Sequence, residues 1–202
     1  MHARELAVEG ALEFTPRVFP DDRGRFLSPY QEEPFVKAHG APLFRVAQSN
    51  HSVSRRGVVR GVHYTLTPPG TAKYVYCARG SALDLVVDIR VGSPTFGRWD
   101  VVRMDQDAHR ASFLPVGVGH AFVALEEDTV MSYLLSGSYV PEHELALAAL
   151  DPALGLPLPT DREPLLSERD AVAPTLAEAA ARGLLPAYER CLELQRALDH
   201  GA

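Results

Sequence analysis

Apolar residues recur at every second position in several short stretches of the chain, which is the period of a β-strand with one buried face. The clearest stretch is Ala-Leu-Asp-Leu-Val-Val-Asp-Ile-Arg at 82–90. One face carries Leu83, Leu85, Val87 and Ile89, and the other carries Asp84, Val86, Asp88 and Arg90. Further strands are predicted at 44–48, 73–79, 99–104, 111–114, 121–125 and 129–135. Short strands spaced about 8–12 residues apart, with turn residues between them, predict an antiparallel sandwich or barrel.

The pattern changes after Pro174, where alanine, leucine, glutamate and arginine dominate the chain. This composition predicts helices at about 175–181 and 186–198, the second with Pro186 in its first turn. The proline-rich stretch 156–162 is expected to be an ordered loop packed on the barrel. With 202 residues, the chain has room for one domain, which we take as 1–202.

Composition and charge narrow the classes of protein. The net charge of -6, from 20 basic and 26 acidic residues, argues against binding of nucleic acid or an anionic membrane. The 15 glycines and 16 prolines suit many turns. Cys77 and Cys191 are too few for a disulfide framework or a zinc site, which favours a cytoplasmic protein. No apolar run reaches the roughly 18 residues of a membrane span, and the charged segment 1–10 does not suit a signal peptide.

Two of the eight histidines follow glycines at the ends of strand-like runs. His63 ends Arg-Gly-Val-His at 60–63, and His120 completes Pro-x-Gly-x-x-His at 115–120. These segments resemble the two half-motifs of cupins. Cupin metal sites add a second histidine and a glutamate, but this chain has Thr65 at the first position and no glutamate in 67–72. Because a divalent site usually needs three or four protein ligands, we expect no metal here. The other histidines are interpreted as surface or structural residues.

The chain resembles the dTDP-4-dehydrorhamnose 3,5-epimerase family over about 8–174. The matching segments are Asp-Arg-Gly-Arg-Phe at 22–26, Gln-Ser-Asn-His-Ser at 48–52, 56–64, Ala-Lys at 72–73, 87–97, 115–122, Tyr133 and Ser-Glu-Arg-Asp at 167–170. They occur in the family's order, which makes the resemblance specific. It implies a mainly β fold, a cupin (double-stranded β-helix) jelly-roll barrel, with a helical C-terminal tail at 175–202. It also implies a homodimer with strands contributed across the interface.

The resemblance implies an isomerase that needs no cofactor. The substrate would be a dTDP-4-keto-6-deoxyhexose, whose C4 ketone acidifies the hydrogens at C3 and C5. By resemblance, His63 is the base, Asp170 orients it, Tyr133 is the acid on the other face, and Lys73 stabilises the enolate. Without the resemblance, each of these residues has a structural alternative: Asp170 could be a helix N-cap, Tyr133 an aromatic residue of the core and Lys73 a solvated charge on a strand.

The resemblance also implies residues that bind the substrate. His120 would contact the sugar, arginines would hold the diphosphate, and amide or aromatic side chains would bind the thymine. These residues are Arg23, Gln48, Asn50, Arg60, His120, Tyr139, Glu144 and Arg169.

Two positions depart from the common family pattern. Ser28 stands where the family has a glutamate, and Leu134 where it has a lysine directly after the acid tyrosine. The segments 67–74 and 147–152 resemble the branch found in antibiotic deoxysugar pathways. We therefore predict inversion at C5, or at C3 and C5. The alternatives are a 3-epimerase, a 3,4-ketoisomerase, and a cupin that binds a sugar nucleotide without catalysis.

Overall fold

Two antiparallel β-sheets face each other in the computed structural model, which describes residues 1–201. The strands are β1 (His2–Glu5), β2 (Leu12–Thr15), β3 (Val18–Asp21), β4 (Gly24–Leu27), β5 (Gln48–Ser54), β6 (Val59–Thr65), β7 (Lys73–Arg79), β8 (Ser81–Val87), β9 (Trp99–Asp105), β10 (Ala111–Leu114), β11 (Gly119–Ala124), β12 (Thr129–Leu135) and β13 (Glu144–Ala146). One sheet has the order β1-β2-β10-β7-β12-β5 and the other β13-β6-β11-β8-β9. The pair β3–β4 forms a separate hairpin. The mainly β barrel predicted from the sequence is confirmed.

The alternation along β8 separates two hydrophobic clusters, as the sequence predicts. Val86 points between the sheets, where it packs with Val75 and Met131 of the opposite sheet. Leu85 and Val87 point the other way, into a second cluster on the outer face. The two faces of this strand are therefore both buried.

The outer faces of both sheets are covered by segments from the chain ends. The helices are α1 (Glu32–His39), α2 (Glu168–Ala171), α3 (Leu176–Ala181) and α4 (Tyr188–Asp199). The proline-rich loop and α3 pack on the five-stranded sheet. Helices α1 and α4 contribute Phe35 and Cys191 to an aromatic cluster on the six-stranded sheet. The predicted loop at 156–162 is thus packed on the barrel through Leu156 and Leu158.

Several sequence predictions are corrected at the boundaries of elements. The strand predicted at 44–48 is wrong, because β5 begins only at Gln48, where pairing with Leu135 of β12 starts. Pro186 does not lie in the first turn of α4, since Ala187 is the N-cap. Helix α3 begins as predicted, with Thr175 and Glu178 forming a capping box. Helix α1 and the β3–β4 hairpin were not predicted.

The barrel interior is apolar at one end and open at the other. The packed end contains Cys77 and Met131, and the open end lies where β7 begins, at Lys73. The strands β6 and β11 approach closely at Gly61, whose φ is +118°. A Cβ atom there would lie 2.4 Å from the carbonyl oxygen of His120, so only glycine fits. This contact sets His63 opposite His120 in the ladder.

Within residues 1–201, no helix is long and apolar enough to cross a membrane.

Candidate active site

A cavity of about 500 Å³ occupies the open end of the barrel, between the two sheets. Its wall includes Asn50, Arg60, His63, Lys73, His120, Tyr133, Tyr139 and Glu144, all predicted from the sequence to belong to the site. They come from six strands and the segment that follows β12. The fold thus gathers polar residues that are far apart in the chain around one cavity.

His63 is held by a buried carboxylate behind it. Its Nε2 donates a 2.7 Å hydrogen bond to Asp170 Oδ1, and Asp170 is only 4% exposed. Burial alone would raise the pKa of Asp170, but hydrogen bonds from His63, Ser167 and the Gly61 amide, with the charge of His63, hold that pKa below 3.8. Because an ionised carboxylate only accepts hydrogen bonds, the proton is assigned to His63 Nε2. The other nitrogen, Nδ1, is left free to accept a proton.

Asp170 does not cap helix α2. The N-cap is Ser167, whose hydroxyl accepts a hydrogen bond from the backbone N–H of Asp170 at 3.1 Å. The Asp170 side chain is therefore free to serve His63.

A second histidine–aspartate pair lies deeper in the barrel. His120 Nε2 and Asp84 Oδ1 are hydrogen-bonded at 2.5 Å, and Ser112 Oγ donates to Asp84 Oδ2 at 2.8 Å. Asp84 is fully buried. Asp84 is not among the site residues predicted from the sequence. An aspartate on an otherwise apolar strand was a usable signal, because a buried carboxylate needs partners.

Tyr133 faces the two histidines from the opposite sheet. Its ring centroid lies 6.1 Å from that of His120, in an edge-on arrangement. Burial raises the pKa of Tyr133 well above 10.0, and the nearby Ser52 hydroxyl opposes only part of that rise. The phenol is consequently protonated at neutral pH and able to give up a proton only to a strong base.

Lys73 lines the cavity at the start of β7, next to β12 in the sheet. Burial lowers the pKa of Lys73 from 10.5, while the negative charges of Glu144 and Asp84 oppose that change. Glu144 itself accepts a 3.1 Å hydrogen bond from Thr65 Oγ1. The site therefore contains a buried amine, and its protonated form is a group of the kind that stabilises a developing oxyanion.

A group of polar side chains forms the rim of the cavity. Gln48 Nε2 donates to Asn50 Oδ1 at 2.8 Å, and Gln48 Oε1 accepts the backbone N–H of Tyr139 at 2.8 Å. Arg60 Nε donates to Ser54 Oγ at 3.1 Å, and its two terminal nitrogens make no hydrogen bond within residues 1–201. The aromatic ring of Tyr139 is about half exposed.

Besides Gln48 at the rim, two of the predicted binding residues, Arg23 and Arg169, do not line this cavity. Arg23 lies at the tip of the β3–β4 hairpin, with its side chain 90% exposed and paired to Asp21. Arg169 is exposed on α2, beside Asp170. Both remain predictions.

The two departures from the family pattern also lie outside the cavity wall. Leu134 packs against the outer cluster, because neighbouring residues of a strand point to opposite faces. A side chain at position 134 therefore points away from the cavity that Tyr133 lines. Ser28 follows β4 and is partly buried.

Some wall residues were not selected from the sequence. They include Ser49, His51, Ser52, Thr65, Thr71, Phe122, Leu135, Gly137 and Ser138. His51 was interpreted as an ordinary histidine, and its Nδ1 lies 2.8 Å from Ser132 Oγ. In the part of the chain that the structure describes, no group of three or more histidine, cysteine, aspartate or glutamate side chains is arranged to hold a metal ion.

Comparison with known proteins gives concordant matches. The family model described as dTDP-4-dehydrorhamnose 3,5-epimerase matches residues 5–178. A dTDP-4-dehydrorhamnose 3,5-epimerase of Streptomyces griseus is 49% identical over 195 residues, which cover 96% of each chain.

Two solved structures are similar over nearly their whole length. NovW, a 4-keto-6-deoxy sugar epimerase from the novobiocin gene cluster of Streptomyces spheroides, is 50% identical, with a TM-score of 0.91 and 95% of each chain covered. ChmJ, a 3'-monoepimerase of Streptomyces bikiniensis solved with dTDP-quinovose, is 48% identical, with a TM-score of 0.92. That comparison covers 99% of this chain and 100% of ChmJ.

Proposed function

The chain belongs to the dTDP-4-dehydrorhamnose 3,5-epimerase family, and we propose that it inverts C5, or C3 and C5, of a dTDP-4-keto-6-deoxyhexose through an enolate. One observation carries this proposal. His63 and Tyr133 stand on opposite sheets, on either side of one cavity, with Lys73 in its wall. Inversion of a carbon needs a base on one face and an acid on the other, which is the arrangement these residues offer.

In the first step, His63 removes the hydrogen from the carbon next to the C4 ketone. The bonding pair of that C–H bond forms the enolate double bond, and the ketone oxygen takes the negative charge. The hydrogen bond from His63 to the ionised Asp170 supports this step, because a fixed carboxylate orients the ring and stabilises the imidazolium.

Lys73 stabilises the enolate oxygen in the proposed mechanism. Its ammonium group is held in a desolvated wall, where an electrostatic interaction with a developing charge is stronger than in water. Glu144 and Asp84 favour the charged form of the lysine and so keep the ammonium available. His120, fixed by Asp84, is a hydrogen-bond donor or acceptor for the sugar oxygens.

In the second step, Tyr133 gives its proton to the opposite face of the carbon. The raised pKa of the tyrosine keeps the phenol protonated until a carbanion-like carbon is present. The phenolate and the imidazolium then exchange protons with water to restore the starting state. Only protons move, so the reaction as proposed needs no metal or redox cofactor, and we expect a chelator to leave the rate unchanged.

The rim of the cavity supports binding of the nucleotide. The free terminal nitrogens of Arg60 can hold a diphosphate, and the Gln48–Asn50 pair offers amide groups to the thymine. Tyr139 offers an exposed ring for stacking. Dissociation of dTDP measured by calorimetry tests this part, and we expect Arg60→Ala to weaken binding at least tenfold.

A C3-only epimerase is a second candidate, favoured by the similarity to ChmJ. A single experiment separates the candidates. The protein is incubated with dTDP-4-keto-6-deoxyglucose in heavy water, and NMR locates the deuterium. Label at C5, with or without C3, supports our proposal, and label at C3 alone supports the second candidate.

Other outcomes of that experiment contradict both candidates. A product with its carbonyl at C3 would identify a ketoisomerase, and binding without exchange would identify a sugar-nucleotide-binding cupin. His63→Ala should abolish exchange, while the exposed His200→Ala serves as a matched control. The similarity to NovW supports a role in an antibiotic deoxysugar pathway.

We also propose that the protein is a cytoplasmic homodimer. The β3–β4 hairpin supports a dimer, because it stands apart from both sheets with Phe26 71% exposed and Arg23 at its tip. The unpaired Cys77 and Cys191 suit a reducing compartment.

Light scattering should give twice the chain mass for the wild type, and Phe26→Asp should yield a monomer. A monomeric wild type would refute the dimer. It would also refute the binding role that we predict for Arg23, because this residue lies outside the cavity wall of its own chain.

A further inference from the structure

We propose that the C-terminal helix α4 positions the two loops that lead into β11 and β7, the strands that place His120 and Lys73 in the cavity wall. In this proposal Gln195 is the positioning residue. The inference rests on the proposed function. It concerns a part of the chain that the family match does not cover, since that match ends at residue 178 and α4 spans Tyr188–Asp199.

Gln195 is a buried amide with both of its polar atoms used. Its Oε1 accepts a 3.1 Å hydrogen bond from the backbone N–H of Val116, and its Nε2 donates to Asp199 Oδ1 at 2.8 Å. Asp199 in turn lies 3.1 Å from His39 Nε2, on α1. Gln195 is 8% exposed, and a buried amide is costly unless it is hydrogen-bonded. The contact between α4 and Val116 is therefore specific.

Val116 belongs to the turn that leads into β11 and His120. The turn is closed by a 3.2 Å hydrogen bond from the Val118 N–H to the Pro115 carbonyl. Helix α4 touches the same turn a second time, because a Cβ atom at Gly117 would lie 2.3 Å from Cys191 Sγ. Cys191 and Gln195, which are four residues apart on one face of α4, thus both contact the turn at 115–118 from outside the barrel.

The side chain of Val116 also supports the loop that leads to Lys73. A Cβ atom at Gly70 would lie only 2.4 Å from Val116 Cγ1, so the Val116 side chain packs directly against the Gly70 backbone. Gly70 precedes Thr71 and Lys73, which line the cavity. Val116 is consequently wedged between α4 on one side and the Lys73 loop on the other.

This arrangement links the tail to the chemistry but not to the nucleotide. His120 and Lys73 would act on the sugar, and both follow loops that rest on Val116. Arg60, Asn50 and Gln48 lie on β5 and β6, and none of them contacts this turn through a hydrogen bond. Loosening Val116 should therefore reduce kcat and leave dTDP binding unchanged.

The test uses Gln195→Met in the full-length protein, which keeps the size of the side chain but removes the acceptor. We expect kcat for deuterium exchange to fall about tenfold, since small misplacements of catalytic groups are costly. We expect the Kd for dTDP to stay within twofold, and the Val116 amide to exchange its hydrogen faster.

Leu198→Ala is the matched control, because Leu198 packs on the same aromatic cluster without a hydrogen bond to the turn. It should lower the melting temperature without changing kcat at 25 °C. Equal kcat in Gln195→Met and the wild type would overturn the inference, as would an equal loss of kcat in both variants. Failure of the wild type to exchange deuterium would instead refute the proposed function.

Discussion

His63 and Asp170 form a hydrogen bond of 2.7 Å across 107 positions of the chain. The backbone brings the two residues together, because the segment around Leu165 is hydrogen-bonded to the chain at the start of β6. The Leu165 N–H donates to the Gly57 carbonyl at 2.9 Å, and the Val59 N–H donates to the Leu165 carbonyl at 3.0 Å. Ser167 then begins α2, which aims Asp170 at His63. The pair is thus set by main-chain pairing rather than by the two side chains alone.

Asp170→Asn should lower kcat about 10²-fold or more, because an amide can donate to His63 Nε2 and select the wrong tautomer. The substitution keeps the shape of the side chain and should leave the dTDP affinity unchanged. The deuterium exchange rate measures the effect. Glu168→Gln, at an exposed position of the same short helix, is the control. A kcat within twofold of the wild type would show that Asp170 does not assist His63.

Tyr133→Phe should separate proton removal from inversion. His63 can still form the enolate, but without the phenol the proton returns from the side of His63. We expect substrate to acquire deuterium with its configuration retained, while inverted product forms at least about 10²-fold more slowly. NMR of the recovered sugar nucleotide distinguishes the two. Tyr76→Phe, on the outer face of the same sheet, should behave as the wild type.

The sequence predicts the regular part of the fold well, for a physical reason. Strands such as 73–79, 111–114 and 129–135 match the structure because each has a face buried against a neighbour, which fixes the residue types. The segment 44–48 failed because it is apolar without a partner strand: Phe44 packs in the outer aromatic cluster instead.

The site was predictable only where a family motif exposes it. His63, Lys73 and Tyr133 were found by resemblance, and the fold gathers them in one cavity. Asp84 was missed although its place on an apolar strand marks it as a buried carboxylate, because no local pattern shows that its partner is His120 of a neighbouring strand. The hydrogen bond between Gln195 and Val116 could not be predicted for the same reason, since the two residues are 79 positions apart in the chain.

Lys73→Met should abolish exchange and stabilise the protein. Because burial holds the pKa of Lys73 below 10.5 in the folded state, the unfolded state binds more protons between those two pKa values. The lysine therefore costs stability at every pH below its folded pKa, and stability rises with pH through that window. We expect the melting temperature of Lys73→Met to be higher than that of the wild type at pH 7, by about 2–4 °C for each ~1 kcal/mol of this cost.

The same experiment at alkaline pH checks the cause. The difference between Lys73→Met and the wild type should shrink as the pH rises towards 10.5, since the wild-type lysine loses its charge in the folded state first. Lys37→Met, at an exposed position of α1, is the control for loss of a lysine. A lower melting temperature for Lys73→Met would mean that Glu144 and Asp84 outweigh the cost of burial.

Asp88→Asn should destabilise the fold without touching the cavity. Asp88 is fully buried, and it accepts hydrogen bonds from Arg90 Nε at 2.9 Å and Arg90 Nη2 at 2.8 Å. Ser93 Oγ adds another at 2.6 Å. Removing the charge leaves the buried Arg90 uncompensated, which costs about 3 kcal/mol. Urea unfolding at pH 7 measures this loss, and Asp107→Asn on the surface should change stability by less than about 0.5 kcal/mol.

The pH dependence of unfolding identifies the charge as the cause. Burial alone would raise the pKa of Asp88, but the hydrogen bonds and charge of Arg90 hold that pKa below 3.8. The stabilisation is therefore complete above pH 3.8 and is lost as the pH falls through the lower folded pKa. The wild type should lose stability in that window, and Asp88→Asn should lose less, because asparagine does not titrate. An equal acid loss in both proteins would assign the acid sensitivity to other carboxylates, of which Asp170 is the first to test.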